Sequence, residues 1–285
     1  MEKVLVTGGS GFIGRSLIKE LLKRYPHAQI ISVSRSEGFI SQLMVSCPSD
    51  RLKIVIADIR DLQAMRYISR RVDTVIHLAA MKRVDLSEEQ CREAVSANVV
   101  GTMNILDAFK GDTFILMSTD KAVEPVNCYG ATKLVAEKLV LEHANKDHSG
   151  SRFMIIRSGN VMGSTGSVLD IWQRQIQDNN EITVTDLDML RFYTSVDGVV
   201  RLYIAVLERG ENGKVYVTPR GEAVILREMV EKALKLYGNE NTRVKFIGMR
   251  PGERMQEKML GAQEVNVVSG FEETEMVPTP LAVSS

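Results

Sequence analysis

The sequence is poor in cysteine and has no excess of either charge. Its three cysteines, Cys47, Cys91 and Cys128, are widely spaced and form no Cys-x-x-Cys pair. The sequence therefore predicts neither a disulfide framework nor a zinc site, as is typical of a reducing compartment.

Its 36 Lys and Arg residues balance 36 Asp and Glu residues. Because affinity for a phosphate backbone depends on excess positive charge, we expect no nucleic-acid partner, while a small anionic ligand remains open.

Long apolar runs and clusters of metal-binding residues are also lacking. The first residues lead into a short apolar strand rather than a signal core, and no run approaches the ~18 residues that span a bilayer. We therefore expect a soluble cytoplasmic protein with no membrane partner and no metal. The 285 residues, of which 44% are hydrophobic, suffice to bury a sizeable core in one or two units.

Apolar, β-rich runs alternate with helical patterns through the first 160 residues. The predicted strands cover residues 3–7, 29–34, 52–57, 74–79, 113–118 and 153–157. Nearly continuous apolar strands that alternate with amphipathic helices are typical of a parallel sheet covered on both faces. The sequence therefore predicts an α/β fold in which residues 1–160 form a doubly wound Rossmann domain.

Shorter and more varied elements follow residue 160. Helical patterns cover residues 168–178, 196–208 and 223–237, and strand patterns cover residues 181–184, 214–217 and 243–247. We expect residues 161–262 to form mainly a smaller substrate lobe, with the chain free to re-enter the first domain. The weak pattern of residues 263–285 predicts a loosely held tail.

A glycine-rich segment, Thr-Gly-Gly-Ser-Gly-Phe-Ile-Gly at residues 7–14, joins the first strand to the first helix. Gly8 permits a tight turn, Gly11 lets the backbone approach a pyrophosphate, and Gly14 lets the helix pack on the strand. A helix N-terminus also attracts an anion. The segment therefore predicts a dinucleotide site rather than a flexible loop, with contacts from Gly8, Ser10, Gly11, Phe12, Ile13 and Gly14.

The residues after the second and third strands discriminate between cofactors. Ser34 and Arg35 stand where an acidic residue would bind the ribose 2′-hydroxyl of NAD, so the sequence favours NADP. The alternative for Arg35 is a solvated surface arginine. Asp58, which follows the third strand, could accept a hydrogen bond from the adenine amine or cap the helix that starts near Leu62, and both can hold.

Two residues with acid–base chemistry follow the fifth strand. Tyr129 and Lys133 are four residues apart at the start of a helix, so they lie on one face. A nearby ammonium is expected to lower the phenol pKa from about 10 and make Tyr129 an acid or base near neutrality. His77, inside the fourth strand, is interpreted as a packed strand residue.

The glycine-rich segment, Ser118 or Thr119 at the end of the fifth strand, Tyr129 and Lys133 resemble the extended short-chain dehydrogenase/reductase superfamily. Residues 117–133 resemble more specifically the block Ser-Thr-Asp-Lys-Ala…Pro-x-Asn-x-Tyr-Gly-Ala-Thr-Lys of the C5-inverting UDP-N-acetylglucosamine 4,6-dehydratases of bacterial surface-sugar pathways. Further blocks at residues 78–82, 159–164, 189–192 and 250–253 agree in order. The usual His, Pro, Tyr and Trp of that family are replaced by Arg83, Asp85, Ser158 and Tyr193.

The resemblance implies an NADP-dependent hydro-lyase that acts on a UDP-sugar and forms a homo-oligomer. Tyr129 would take the C4 hydroxyl proton while hydride goes to the nicotinamide, and Lys133 would tune Tyr129 and hold the nicotinamide ribose. Lys121 would then remove the C5 proton and Asp120 would protonate the departing C6 hydroxyl. Hydride would return to C6, and C5 would be reprotonated from the opposite face. C5-retaining dehydratases usually carry Glu in place of Lys121, so the Asp-Lys pair indicates inversion.

The resemblance also implies the remaining site residues. The expected catalytic residues are Thr119, Asp120, Lys121, Tyr129 and Lys133. Beyond the glycine-rich segment, the expected cofactor contacts are Ser34, Arg35, Asp58, Ile59, Leu78, Ala79, Ala80, Lys82, Asn98, Tyr129 and Lys133. The expected substrate contacts are Lys82, Lys121, Tyr129, Asn160, Ser167, Thr185, Arg191, Arg250 and Glu253. The alternatives are a C4 epimerase, a C5-retaining dehydratase or a non-catalytic NADP-sensing protein.

Overall fold

A computed structural model describes residues 1–164, 166–218, 222–261 and 268–269. The strands are β1 (Lys3–Thr7), β2 (Gln29–Ser34), β3 (Leu52–Ile56), β4 (Thr74–His77), β5 (Thr113–Thr119), β6 (Arg152–Ser158), β7 (Asn160–Val161), β8 (Glu181–Val184), β9 (Leu190–Thr194), β10 (Val215–Val217), β11 (Glu222–Ile225), β12 (Arg243–Phe246) and β13 (Val268–Ser269). The helices are α1 (Phe12–Arg24), α2 (Glu37–Ser46), α3 (Leu62–Ile68), α4 (Val84–Glu89), α5 (Cys91–Val95), α6 (Gly101–Ala108), α7 (Cys128–Lys146), α8 (Val168–Asn179), α9 (Val196–Arg209) and α10 (Leu226–Tyr237). A π-helical turn spans Ser96–Val100, and a 3-10 turn spans Asp120–Ala122.

One large sheet has the strand order β13-β10-β6-β5-β4-β1-β2-β3. Its strand pairings are parallel throughout. The chain builds outward from β1 in one direction and returns to β4 on its other side, which places a topological switch point between them. The predicted doubly wound α/β fold is confirmed. A ligand site is expected outside the carboxyl ends of these strands.

Two apolar cores cover the two faces of the sheet. Val4 and Val6 point into the core shared with α1 and α9, whereas Leu5 points into the core shared with α3, α6 and α7. All three side chains are fully buried. Because successive strand residues face opposite sides, a strand buried on both faces has to be continuously apolar.

A third core lies outside the large sheet. Strand β8 pairs with β12, while β9 pairs with β7 and β11. Helices α8 and α10 pack together over this core, in which Trp172 is buried and donates from Nε1 to the Thr183 carbonyl over 2.8 Å. By contrast, β10 and α9 lie on the large sheet, against β6 and α1.

Several element bounds differ from the predictions. Residues 222–225 are a strand rather than the first turn of a helix, because they pair antiparallel with β9, and α10 begins only at Leu226. Strands β3 and β4 end one and two residues early, at Ile56 and His77. The predicted tail, residues 263–285, lies outside the described residues apart from β13. Every helix within the described ranges is too short or too polar to cross a bilayer.

Candidate active site

The glycine-rich turn lies between β1 and α1 at the carboxyl end of the sheet. Gly8 has a φ of 70°, and a Cβ there would lie 2.8 Å from the Ala79 nitrogen. A Cβ on Gly14 would lie 2.6 Å from the carbonyl oxygens of Gly8 and Gly9. Gly14 thus lets α1 pack on the turn itself. The prediction that Gly14 lets the helix pack on the strand is wrong. The turn and the N-terminus of α1 form a cradle that a phosphate can approach closely.

Buried hydrogen bonds fix the end of β4 beside this turn. His77 is 1% exposed, and its Nδ1 and Nε2 bind the hydroxyls of Thr7 (2.6 Å) and Thr102 (3.0 Å). Thr7 also accepts from the Ala79 nitrogen. Burial lowers the pKa of His77 to about 3, so the imidazole is neutral. His77 is confirmed as a packed strand residue.

Asn98 joins the loop after β4 to helix α7. Its Oδ1 accepts from the Met81 nitrogen (2.7 Å), and its Nδ2 donates to the Met81 carbonyl (3.0 Å) and to Thr132 Oγ1 (2.9 Å). The predicted cofactor contacts Leu78, Ala79 and Ala80 lie in this loop. In this structure the Asn98 amide binds protein groups, so it holds the loop in place.

Charged residues cluster after β2 and β3, where adenosine is expected. Arg35 Nη1 lies 3.2 Å from Asp58 Oδ2, and Arg60 Nη2 lies 2.5 Å from the same oxygen. Hydrogen bonds from Arg60, with the charge of Arg35, outweigh burial and lower the pKa of Asp58 to about 2. Arg60 also pairs with Glu93 at 2.8 Å. Arg60 was not among the predicted site residues, although it stands only two residues after Asp58.

The proposed capping role of Asp58 is wrong. Helix α3 begins at Leu62, so its N-cap is Asp61, whose side chain accepts from the Ala64 nitrogen over 3.0 Å. Ile59, also predicted to contact the cofactor, is buried, and its carbonyl accepts from Asn104 Nδ2. At the end of β2, Ser34 Oγ accepts from the Ser10 nitrogen over 3.2 Å, which ties β2 to the glycine-rich turn.

The predicted catalytic residues meet where β5 ends. Asp120 is 1% exposed, and its Oδ1 accepts from Thr119 Oγ1 (2.8 Å) and from Lys121 Nζ (3.0 Å). Asp120 Oδ2 is buried and has no hydrogen-bond partner among the described residues. The Tyr129 phenol lies beside both Lys121 and Thr119. One acid, one amine and one phenol therefore lie side by side at the end of β5.

The start of α7 explains why these groups are so close. Asn127 is the N-cap, and its Oδ1 accepts from the Gly130 nitrogen over 2.7 Å. A Cβ on Gly130 would overlap the Lys121 carbonyl oxygen. Glycine at position 130 therefore lets α7 begin directly against the 3-10 turn, which brings Tyr129 to Lys121.

The prediction that the Lys133 ammonium lowers the pKa of Tyr129 is wrong. Burial raises the pKa of Tyr129, and the cation that acts against this rise is Lys121 rather than Lys133. Burial also lowers the pKa of Lys133 to about 8, although the Glu137 carboxylate opposes that shift. Desolvation, which four-residue spacing cannot reveal, dominates both groups.

A buried ion pair supports this end of α7. Arg157 donates from Nε (2.8 Å) and Nη2 (2.6 Å) to the Glu137 carboxylate, and both side chains are 2% exposed. Glu137 stands one helical turn after Lys133. Neither residue was among the predicted site residues, although a glutamate four residues after Lys133 was a visible signal.

Three of the predicted substrate contacts lie on or beside the smaller lobe. Asn160 is on β7, opposite Tyr193. Ser167 caps α8 by accepting from the Asp170 nitrogen, and Thr185 Oγ1 contacts the Met189 sulfur. Lys82 is exposed, and its charge interacts with that of Asp170.

Three further predicted substrate contacts, Arg191, Arg250 and Glu253, belong to a segment that we call the strap, residues 250–259, or bind it. Arg191 donates to the carbonyls of Arg254 (2.8 Å) and Met255 (3.1 Å). Glu253 Oε2 accepts from the Arg250 nitrogen over 2.9 Å, and the Arg250 side chain is exposed. In this structure the Arg191 fork and the Glu253 carboxylate thus hold the strap rather than face open space.

The strap brings a further carboxylate to the catalytic residues. Glu257 is 4% exposed, and its Oε1 lies 3.7 Å from Lys121 Nζ. Burial lowers the pKa of Lys121, but the charges of Asp120 and Glu257 outweigh it and raise the pKa above its usual value. Glu257 was not among the predicted site residues, because nothing local to position 257 indicates contact with position 121.

Comparisons with known proteins show which family the chain resembles. The sequence profile of a family described as "Polysaccharide biosynthesis protein" matches residues 4–278. An inverting UDP-N-acetylglucosamine 4,6-dehydratase of Campylobacter jejuni is 34% identical over 276 residues, covering 95% of this chain and 81% of that protein. A UDP-glucose 4-epimerase of Rickettsia rickettsii is 33% identical over 271 residues, covering 93% and 79%. The X-ray structure of Pen from Bacillus thuringiensis superposes with a TM-score of 0.86 at 34% identity, covering 91% and 82%.

Proposed function

Since this chain belongs to the polysaccharide biosynthesis protein family, we propose that it catalyses the 4,6-dehydration of UDP-N-acetylglucosamine, in which water is lost across C5 and C6 and C5 is inverted. The reaction uses NADP and gives a UDP-2-acetamido-2,6-dideoxy-L-arabino-hexos-4-ulose. The observation that carries the proposal is the contact of Asp120 with Lys121 beside Tyr129. An epimerase has no use for a second acid and base next to its phenol, whereas an elimination needs both.

The residues around the glycine-rich turn fit a dinucleotide. Gly8 and Gly14 keep the turn clear of side-chain atoms, and the N-terminus of α1 can bind the pyrophosphate. Arg35 and Arg60 meet at Asp58 after β2 and β3, and their guanidinium groups support binding of a 2′-phosphate there. The bound cofactor supplies hydride acceptance from C4 and hydride return to C6.

Removal of hydride from C4 makes the neighbouring C5 proton acidic. Side chains of the protein then have to accept and donate the protons of the reaction. Tyr129 accepts the C4 hydroxyl proton, aided by the adjacent Lys121 charge. Lys121 must be neutral before it can take the C5 proton. Transfer of its proton to Asp120, over the 3.0 Å hydrogen bond, would create the base and the acid together.

The elimination returns Lys121 and Asp120 to their original protonation states. Neutral Lys121 takes the C5 proton and becomes an ammonium, while Asp120 delivers its proton to the departing C6 hydroxyl, which leaves as water. Asp120 would deliver this proton from Oδ1, the oxygen that receives it from Lys121. Once C6 has regained a hydride from the cofactor, C5 would receive a solvent-derived proton on the opposite face, so its configuration inverts.

The direct test is turnover in D₂O, with the protein, NADP and UDP-N-acetylglucosamine followed by NMR. We expect a new C6 methyl group, loss of water and deuterium at C5 in the L-arabino configuration. UDP-N-acetylgalactosamine without loss of water would instead identify a C4 epimerase. A dehydrated product with the D configuration at C5 would refute the inverting assignment.

The cofactor preference can be tested at Arg35. We expect Arg35→Asp to weaken NADP binding by about tenfold or more, because it removes a guanidinium and adds a charge that repels a 2′-phosphate. NAD affinity should change by less than about twofold. Titration of both cofactors measures this, with the exposed Arg66→Asp on α3 as the matched control. Equal affinities in the unsubstituted protein, or a preference for NAD, would contradict the assignment.

A further inference from the structure

We infer that Glu257 is a positioning residue that holds the Lys121 amine in place and balances the charge it acquires during elimination. This inference rests on the proposed function, because it assigns Glu257 to the step in which Lys121 takes the C5 proton. Two observations support it: the contacts that hold the strap, which carries Glu257, and the charged groups that surround Lys121.

Hydrogen bonds fix the strap just before Glu257. Asn127 Nδ2 donates to the Gly252 carbonyl over 2.8 Å, and Arg254 donates to the Val123 carbonyl over 3.2 Å. These two contacts anchor the strap to the loop between the 3-10 turn and α7. Lys258, which follows Glu257, pairs with Glu124 at 2.8 Å, but both side chains are exposed, so this ion pair adds little to the anchoring. Glu257 is the one acidic side chain that the described part of the strap directs to Lys121.

Lys121 is surrounded by four titratable groups from four parts of the fold. Asp120 comes from the 3-10 turn, Tyr129 from α7, Tyr193 from β9 and Glu257 from the strap. The Asp120 and Glu257 carboxylates lie 3.0 and 3.7 Å from Nζ. Because both are almost completely buried, water screens their charges little.

The two carboxylates cannot have the same role in the proposed reaction. Asp120 exchanges a proton with Lys121 and passes it to the C6 hydroxyl, so its charge disappears just before the C5 proton is removed. Glu257 has no such task in the proposed reaction. As Lys121 takes the C5 proton, positive charge develops on Nζ, and a fixed anion 3.7 Å away stabilises it. Glu257 also keeps Nζ in place while its hydrogen bond to Asp120 changes.

The first experiment measures dehydration rates against pH for the unsubstituted protein and for Glu257→Gln. We expect kcat to fall about tenfold or more and the rising limb of the profile to move to lower pH, because Lys121 loses a counter-ion. KM should stay within about twofold, since Glu257 holds Lys121 and not the substrate. Glu257→Asp should recover part of the rate.

Lys258→Gln is the matched control, because it removes the neighbouring strap ion pair without changing a group that reaches Lys121. It should keep the kcat and the pH profile of the unsubstituted protein. Thermal unfolding of each variant reports folding separately. A Glu257→Gln enzyme with an unshifted pH profile, whatever its rate or thermal midpoint, would reduce Glu257 to a structural role and overturn the inference.

A second measurement does not depend on turnover. Acetic anhydride acetylates only neutral amines. The intact enzyme is labelled at a series of pH values and then digested, and mass spectrometry of the peptides gives the extent of Lys121 acetylation. This extent reports the protonation of Lys121. The midpoint of the labelling curve is the pH at which labelling of Lys121 is half complete. We expect Glu257→Gln to move this midpoint to lower pH and Lys258→Gln to leave it unchanged. A shifted midpoint in a protein that does not dehydrate UDP-N-acetylglucosamine would refute the proposed function but retain the Glu257–Lys121 coupling. An unshifted midpoint would refute that coupling.

Discussion

Replacing Lys121 by alanine is expected to stop the loss of water from UDP-N-acetylglucosamine while leaving oxidation at C4 slow but detectable. The variant keeps Tyr129, Lys133 and the cofactor cradle, but it has no amine to take the C5 proton. General-base catalysis contributes about 10²–10⁴-fold, so dehydration should fall by at least that much. Product analysis by NMR measures the elimination, and absorbance of the reduced cofactor reports the oxidation.

Tyr129→Phe provides the contrast for this prediction. It removes the acceptor of the C4 hydroxyl proton, so neither reduced cofactor nor dehydrated product should form, while NADP binding and circular dichroism should stay unchanged. Together the two variants separate the oxidation from the elimination. If Lys121→Ala still dehydrated the substrate at nearly the normal rate, another group would be the C5 base.

Replacing Glu137 by alanine is expected to lower the free energy of unfolding by about 3–5 kcal/mol, because Arg157 would keep a buried charge without its carboxylate partner. This is a large share of the ~5–15 kcal/mol that stabilises a typical domain. Urea unfolding followed by circular dichroism measures the change.

Helix α7 offers its own control. Glu142 pairs with Lys146 four residues later on the same helix, but both side chains are exposed, so Glu142→Ala should have little effect. The double variant Glu137→Leu, Arg157→Met should recover most of the lost stability, because it removes both buried charges. A single Glu137→Ala variant as stable as Glu142→Ala would show that Arg157 is adequately solvated or paired without Glu137.

Local patterns in the sequence predicted the parts of the site that depend on short spacings. The glycine-rich turn, the apolar strands and the pair Tyr129 and Lys133 all follow from residues within a few positions of each other. The sheet then brings the end of β5 beside the start of α7. The helix predicted over residues 223–237 was wrong at its start, because pairing with β9 decides the conformation of residues 222–225.

The groups that the sequence analysis missed depend on contacts between distant parts of the chain. Glu257 reaches Lys121 from the strap, and Arg157 crosses from β6 to Glu137 on α7. Hydrophobic periodicity carries no information about either contact. The pKa of Tyr129 was predicted in the wrong direction for a related reason, since it depends on burial by the assembled fold. The boundary at residue 160 and the roles of the individual site residues stay predictions.

The Asn127 side chain makes opening of the strap and fraying of α7 a single cooperative event. Its oxygen caps the helix, and its nitrogen donates to Gly252 in the strap. Detaching the strap frees this amide to rotate, which weakens the cap and loosens the first helical turn, where Tyr129 lies. Local unfolding in such proteins occurs in contiguous units. The strap and the first turn of α7, although far apart in the chain, thus form one unit of local stability, and a ligand that seals the strap would also rigidify Tyr129.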